Sequence, residues 1–152
     1  MPKRFHKILI VDDDPITRRM LEKLLMKDYV PITASNGKEA LDIVKREEIS
    51  LLITDQQMPG MNGTELIQLS RDARSDIVCI LLTGVNDISV FIDAITKSGV
   101  LRLINKPWNA EELLKVVRSS IAKYESLINT KTSINRLKTA IGNLDRIVKG
   151  ND

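Results

Sequence analysis

Four short apolar runs, each closing on polar chemistry, constrain the fold of this chain more than any other feature. Lys7-Ile8-Leu9-Ile10-Val11 ends in Asp12-Asp13-Asp14, and Leu51-Leu52-Ile53-Thr54 ends in Asp55. The run 77–82 ends in Thr83-Gly84, and Leu101 to Asn105 ends in Lys106-Pro107. Amphipathic segments of ten or so residues separate them. That alternation is the βα repeat of a parallel sheet, whose strands read as continuous apolar runs because both faces are covered. Strands are expected near 7–11, 29–33, 51–54, 77–82 and 100–104. The second, Tyr29-Val30-Pro31-Ile32-Thr33, contains a proline, which lacks the N–H that a central ladder needs, so it belongs at an edge. In open α/β sheets ligands bind at the edge formed by the strand ends. Carboxylates, a hydroxyl and an ammonium should therefore meet there.

Helices fill the gaps. The first is expected over 15–27, with Asp14 as N-cap, Pro15 at the first helical position, and Ile16, Met20, Leu21, Leu24 and Leu25 on its packing face. The second, over 37–47, packs Ala40, Leu41 and Val44. The third, over 63–71, packs Leu66, Ile67 and Leu69. A fourth, β-branched and weaker, spans 87–97. The fifth starts after Trp108, with Asn109 as N-cap and Glu112 three residues on, and presents Leu113, Leu114, Val117 and Ile121.

Composition excludes several classes. At 152 residues the chain holds one well-buried domain and an extension. The net charge of +3 is spread thinly: residues 125–152 carry 5 basic and 3 acidic side chains, leaving 18 and 17 for the rest. That is a solvated surface rather than a nucleic-acid footprint. No apolar stretch approaches the ~20 residues of a membrane span. The single cysteine, Cys79, lies inside an apolar run and reads as a buried inert thiol, which fits a reducing, cytoplasmic setting. His6, the only histidine, has no partner for a metal site and reads as a surface residue.

Taken singly, the strand-end residues have structural explanations. Asp14 caps a helix, Asp55 can cap the turn that follows it, Thr83-Gly84 can be a turn, and Lys106 can be a surface lysine. Asp12 and Asp13 are harder to place, because one cap needs one carboxylate and adjacent acids repel unless a cation lies among them. Taken together, the set suits phosphoryl transfer to a carboxylate. Attack on an anionic phosphoryl group requires charge neutralisation on both partners. Mg²⁺ supplies this when held by one or two carboxylates and waters. Lys106 adds a compact positive charge for one phosphoryl oxygen, and the Thr83 hydroxyl can donate to another.

With these residues in view, the chain resembles a two-component response-regulator receiver domain. The resemblance covers residues 7–124 and rests on Ile8-Leu9-Ile10-Val11-Asp12-Asp13-Asp14-Pro15, on Asp55 with Met58-Pro59-Gly60-Met61-Asn62-Gly63, on Leu82-Thr83-Gly84 and on Lys106-Pro107-Trp108. It implies a five-stranded parallel sheet in the flavodoxin-like order 2-1-3-4-5, with helices on both faces. It implies that Asp55 accepts a phosphoryl group from a histidine kinase or histidine phosphotransfer protein, in a signalling domain that assists its own phosphorylation rather than in an enzyme. Asp13 and Asp55 would bind Mg²⁺ directly with the Gln57 backbone carbonyl, and Asp12 would act through water. Thr83 and Lys106 would engage the phosphoryl group, and the Lys106-Pro107 bond would be cis. Four positions stand out against the usual pattern. Leu103 stands where many relatives carry an aromatic switch residue that answers the threonine. Asn62 replaces the more usual Asp. Gln57 and Val85 occupy positions that tune phosphate lifetime.

Two other functions compete. A phosphohydrolase of the haloacid-dehalogenase type would use Asp12 as nucleophile and Asp14 as general acid, but no acidic pair follows Lys106 and Asp55 is left unexplained. A phosphate-independent interaction module would keep the pocket and signal through constitutive pairing. Nucleotide binding is weaker, with neither a P-loop nor a Gly-x-Gly-x-x-Gly after any strand.

Residues 125–152 are expected to form a helical extension, too short for a DNA-binding or catalytic module. Ile134, Leu137, Ile141, Leu144 and Val148 are spaced 3, 4, 3 and 4, the seam of a short coiled coil. The earlier stripe Leu114, Val117, Ile121, Tyr124 and Ile128 does not continue in phase, and polar Asn129-Thr130-Lys131-Thr132-Ser133 lies at the change. One bent helix or two helices are expected, with Thr132 or Ser133 capping the second. A homodimer could form through this segment, supported by the fourth and fifth helices.

Overall fold

The computed structural model describes residues 6–84 and 100–150. Strands β1 (Lys7–Val11), β2 (Val30–Ala34), β3 (Leu51–Asp55), β4 (Val78–Thr83) and β5 (Leu101–Asn105) form one parallel sheet in the order β2-β1-β3-β4-β5. Helices α1 (Pro15–Leu25), α2 (Gly37–Arg46), α3 (Gly63–Ala73) and α4 (Ala110–Gly150) surround it. The helix expected over 87–97, and Val85 before it, lie outside the described residues.

Alternation along each strand sorts the core into two layers. Leu9, Val11, Leu52, Cys79, Leu81 and Leu101 face α2 and α3. Ile8, Ile10, Leu51, Ile53, Val78, Ile80, Leu82 and Ile104 face α1 and α4. The proline-bearing β2 is at the edge, beside β1 alone.

Helix starts follow their caps. The Asp14 carboxylate accepts from the Ile16 N–H at 3.1 Å and the Thr17 hydroxyl at 2.8 Å. These bonds, the Thr17 hydroxyl foremost, hold its pKa below the ordinary value. Asn36 caps α2 and Asn62 caps α3, each accepting from the N–H three residues on. Asn109 accepts from the Glu112 N–H at 2.7 Å, as its spacing predicts.

Three expectations need correction. Ile16 and Met20 do not pack: they are 72% and 52% exposed, and α1 is anchored through Leu21 and Leu25. Leu69 on α3 is likewise 41% exposed. His6 is not a free surface residue. Its Nδ1 is 2.9 Å from the Ser50 hydroxyl, its Nε2 is 2.8 Å from Glu125, and its ring stands edge-on to Tyr124. It thus joins the start of the sheet to α4 at the end away from the strand exits.

Of the two alternatives for the tail the single helix holds: α4 runs through residues 129–133, with no second N-cap. The polar residues there need no break. Thr130 donates its hydroxyl to the Ser126 carbonyl, and Thr139 does the same to Asn135, so the hydroxyls bond back along the helix instead of capping a new one. Packing ends sooner than the helix does. Tyr124 is its last buried residue, Leu127 and Ile128 are partly covered, and every residue over 129–150 is exposed.

Candidate functional site

Register brings the strand-end residues to one edge. Val11 is level with Thr54, Asp55 with Leu82, and Thr83 with Asn105, so Asp12, Asp55, Thr83 and Lys106 follow one another across the adjacent strands β1, β3, β4 and β5. Asp55 is fixed as the last residue of β3. Its carbonyl accepts from the Thr54 hydroxyl at 2.9 Å, and the next N–H, of Gln56, donates to Leu82 at 3.1 Å. Across the sheet, the Lys106 N–H donates to the Thr83 carbonyl at 2.9 Å. The Lys106-Pro107 peptide is cis.

The side chains meet as the strand exits suggest. Lys106 Nζ lies 2.8 Å from Asp55 Oδ1, with the carboxylate nearly buried and the ammonium about one third exposed. Carboxylate oxygens of Asp12, Asp13 and Asp55 all fall within 4.8 Å of one another. Asp12 and Asp55 are buried and Asp13 is exposed, which leaves the group open to solvent on one side. Burial pushes the Asp12 carboxyl above the ordinary carboxylate pKa. The Asp14 N–H opposes that shift, Asp55 reinforces it, Lys106 opposes it and Asp13 adds to it.

This donor set fits a hard divalent cation. Three carboxylates face one ammonium, an uncompensated negative charge in a half-buried site. Asp12 Oδ1 accepts from the Asp14 N–H at 2.9 Å, while its Oδ2 is buried with no protein partner among the described residues. A buried carboxylate oxygen left without a donor is costly, and a cation or a water held by one would satisfy it. Gln57 lies in the β3–α3 turn with its side chain exposed.

Thr83 is buried at the end of β4 and belongs to the same edge. Leu103 does not: it is partly buried on β5, level with Leu81, against the layer under α2 and α3.

Several supporting residues escaped the sequence reading. Arg18 reaches back from α1 to donate to the Asp12 carbonyl at 2.6 Å. Gln56 folds the following turn, its carbonyl accepting from the Gly63 N–H and its side chain from the Thr64 N–H. Gly60 takes the positive φ (80°) of that turn. Gly63 allows the closest approach: a Cβ there would stand 2.5 Å from the Asp55 carbonyl oxygen and 2.7 Å from Leu81. The Gly60 and Gly63 pair was the only legible signal.

The sequence matches the response regulator receiver domain family over residues 8–118. The chain belongs to that family. It is 30% identical over 114 residues to the hydrogenase transcriptional regulatory protein HoxA of Cupriavidus necator, a match spanning 75% of this chain and 24% of that one. It is 37% identical over 120 residues to the probable transcriptional regulator ycf27 of Porphyridium aerugineum, spanning 78% of this chain and 49% of the relative. The chain thus spans between a quarter and a half of these curated relatives. Among solved structures it resembles the adenylate cyclase from Rhodopirellula baltica, with a TM-score of 0.78, 31% identity, and coverage of 88% and 98% of the two chains. A CheY-like receiver domain protein from Methanospirillum hungatei aligns with a TM-score of 0.72 and 26% identity, covering 81% and 98%. Receiver domains of this family belong to two-component response regulators and are in general signalling domains rather than enzymes. No helix among the described residues is long and apolar enough to cross a membrane.

Proposed function

We propose that this receiver domain takes a phosphoryl group onto Asp55 from a phosphohistidine on a histidine kinase or histidine phosphotransfer protein. The contact that carries the reading is Lys106 Nζ on Asp55 Oδ1 at 2.8 Å, beside the unpartnered Asp12 Oδ2. Asp13, Asp55 and the Gln57 carbonyl would hold Mg²⁺, with Asp12 reaching it through water. When bound, the ion supplies positive charge for the nucleophile and for the transferring group. Asp55 presents its carboxylate at the open side of the edge, where its oxygen forms a bond to phosphorus as the bond to imidazole nitrogen breaks. Lys106 would follow the charge from the carboxylate to a phosphoryl oxygen, and Thr83 would donate its hydroxyl to another. Thr83 and Leu103 are the residues whose surroundings would report the event. Leu103 packs into the core, so a response there would be a repacking rather than the swing of an aromatic ring. The cytoplasm, where such kinases present their phosphohistidine, is the setting this function requires.

A docking surface adjoins the site. Thr17, Met20, Lys106, Pro107 and Trp108 line a concavity of about 470 Å³, with Ile16 exposed on the same helix. A protein donor has apolar surface to seat on there, immediately beside Lys106.

Acetyl phosphate or a fluoroberyllate mimic should modify the wild type, lose its target in Asp55→Asn, and be blocked by chelation. Label on Asp12 would instead support the phosphohydrolase and defeat the proposal. Met20→Glu should slow transfer from a phosphorylated protein donor by about tenfold, a loss of one apolar anchor, and leave acetyl phosphate reactivity unchanged.

A further inference from the structure

The distal part of α4 carries an apolar seam that nothing in the described chain covers. Ile134, Leu137, Ile141, Leu144 and Val148 are 48–69% exposed, and Ile147 flanks them at 61%. Because α4 is continuous, the seam cannot reach its own sheet. At 1.5 Å per residue, Ile134 stands roughly 15 Å beyond Tyr124, the last buried residue, and Val148 some 20 Å farther. At 100° per residue, the seam also points roughly 135° around the helix from the face of Leu113, Val117, Ile121 and Tyr124 that covers the sheet. Its occupant is none of the described residues.

The residue types say which occupant. In heptad terms Ile134, Ile141 and Val148 fall at a, and Leu137 and Leu144 at d. The preceding heptad continues in phase with Leu127 at a and Thr130 at d. β-branched residues at a with leucine at d select two parallel strands over three or four. The flanking positions agree. A parallel pair in register sets Lys138 against Ser133 of the second copy, and Asp145 against Ala140, so no like charges meet. Lys131, also beside the seam, falls against Ser126 of the second copy. The remaining charges, Arg136, Arg146 and Lys149, lie off the seam, and Lys149 is paired within its own helix to Asp145 at 3.2 Å. Six apolar side chains, each 48–69% exposed, offer on pairing an interface on the order of 1,000 Å², the lower bound for a specific one. Unsupported, such a segment has only marginal helical stability in water, because most helix stability comes from tertiary packing.

We infer that residues 127–148 pair with the same segment of a second copy as a short parallel coiled coil, giving a homodimer that does not depend on phosphorylation. With the seam turned away from the face that covers the sheet, the two receiver bodies lie on the outer sides of the pair.

Sedimentation of the whole chain, with and without fluoroberyllate, reads this directly. The wild type should be dimeric in both states. Leu137→Asp with Leu144→Asp should weaken association about a hundredfold or more. These side chains are exposed in the single chain, so the variant should keep its folded receiver body and its reaction with acetyl phosphate, and any loss of helical circular dichroism should be confined to the contribution of residues 129–150. Leu144→Cys should form an interchain disulfide on mild oxidation, since d positions of parallel partners face each other, while buried Cys79 stays silent. A monomeric wild type overturns the inference. So does a dimer that survives the paired aspartates, which would place the interface on the receiver bodies. A seam-dependent dimer in which Leu144→Cys fails to cross-link overturns the parallel arrangement.

Discussion

The two halves of α4 share a backbone and differ in almost everything else. Over 110–128, Leu113, Val117, Ile121 and Tyr124 are no more than 7% exposed. Over 129–150, residues of the same kind at the same spacing are at least 48% exposed. The distal half is the more polar, yet each half keeps an apolar stripe at helical spacing. Phase separates the stripes: the first closes on the sheet, and the second starts one step out of register and faces solvent. Identical substitutions should therefore have different consequences in the two regions, and three pairs of measurements can break that contrast or sharpen it.

The largest effect is expected from leucine truncation. Leu113→Ala empties a fully buried position between α4 and the sheet and should cost about 2–5 kcal/mol. Leu137→Ala, at 61% exposure, should change the stability of the dilute chain by about 0.5 kcal/mol or less. Urea titrations at low concentration separate the two. A comparable loss in both would mean that the distal half is covered by its own chain.

Glycine substitution should reverse sign between regions. Gly63→Ala forces a Cβ against the Asp55 carbonyl and Leu81 and should cost about 1–3 kcal/mol. It should also slow modification by acetyl phosphate, because the residue displaced is the one that carries Asp55. Gly142 has open space around it, so Gly142→Ala should stabilise the helix by about 1 kcal/mol. Thermal melts of both variants and the sedimentation of Gly142→Ala check this. A destabilised Gly142→Ala would reveal a contact on the outer face of the helix.

The contrast between halves also marks what the sequence could and could not disclose. Strand ends and site residues were legible because their signals are local: a β-branched run, then an acid, a hydroxyl or a lysine. Asp55, Lys106 and the Asp12 and Asp13 pair came together because parallel register aligns strand exits without further information. Pro31 placed β2 at the edge for a reason as local as the missing N–H. The failures are nonlocal or ambiguous in period. His6 takes its partners 44 and 119 residues away, at Ser50 and Glu125, and nothing beside it announces them. Ile16 and Met20 satisfied the helical spacing, yet burial at α1 falls to Leu21 and Leu25. The polar run 129–133 left one helix or two open, because two stripes out of phase cancel when summed and a hydroxyl that bonds back along a helix, as that of Thr130 does, looks in sequence like a cap.

The smallest effect separates the regions by thiol chemistry. Cys79 is wholly buried on β4, and burial pushes its thiol up to about 12 from 9.0. The native thiol should not react with a disulfide reagent at neutral pH, whereas Thr139→Cys, on the outer face of the projecting half, should add one thiol that reacts at once. The same shift has a sign in stability. Below pH 9.0 the thiol is neutral whether the chain is folded or not, so it lends no pH dependence. Between 9.0 and about 12 only the unfolded thiol ionises, which favours unfolding, so stability falls as pH rises through that window. Comparing urea midpoints at pH 7 and pH 10 for the wild type and Cys79→Ala isolates this contribution, because lysines and tyrosines titrate alike in both. The wild type should lose more than the variant. An equal loss, or a native Cys79 that reacts as fast as the introduced thiol, would mean that β4 opens to solvent and that the packed half is looser than its burial implies.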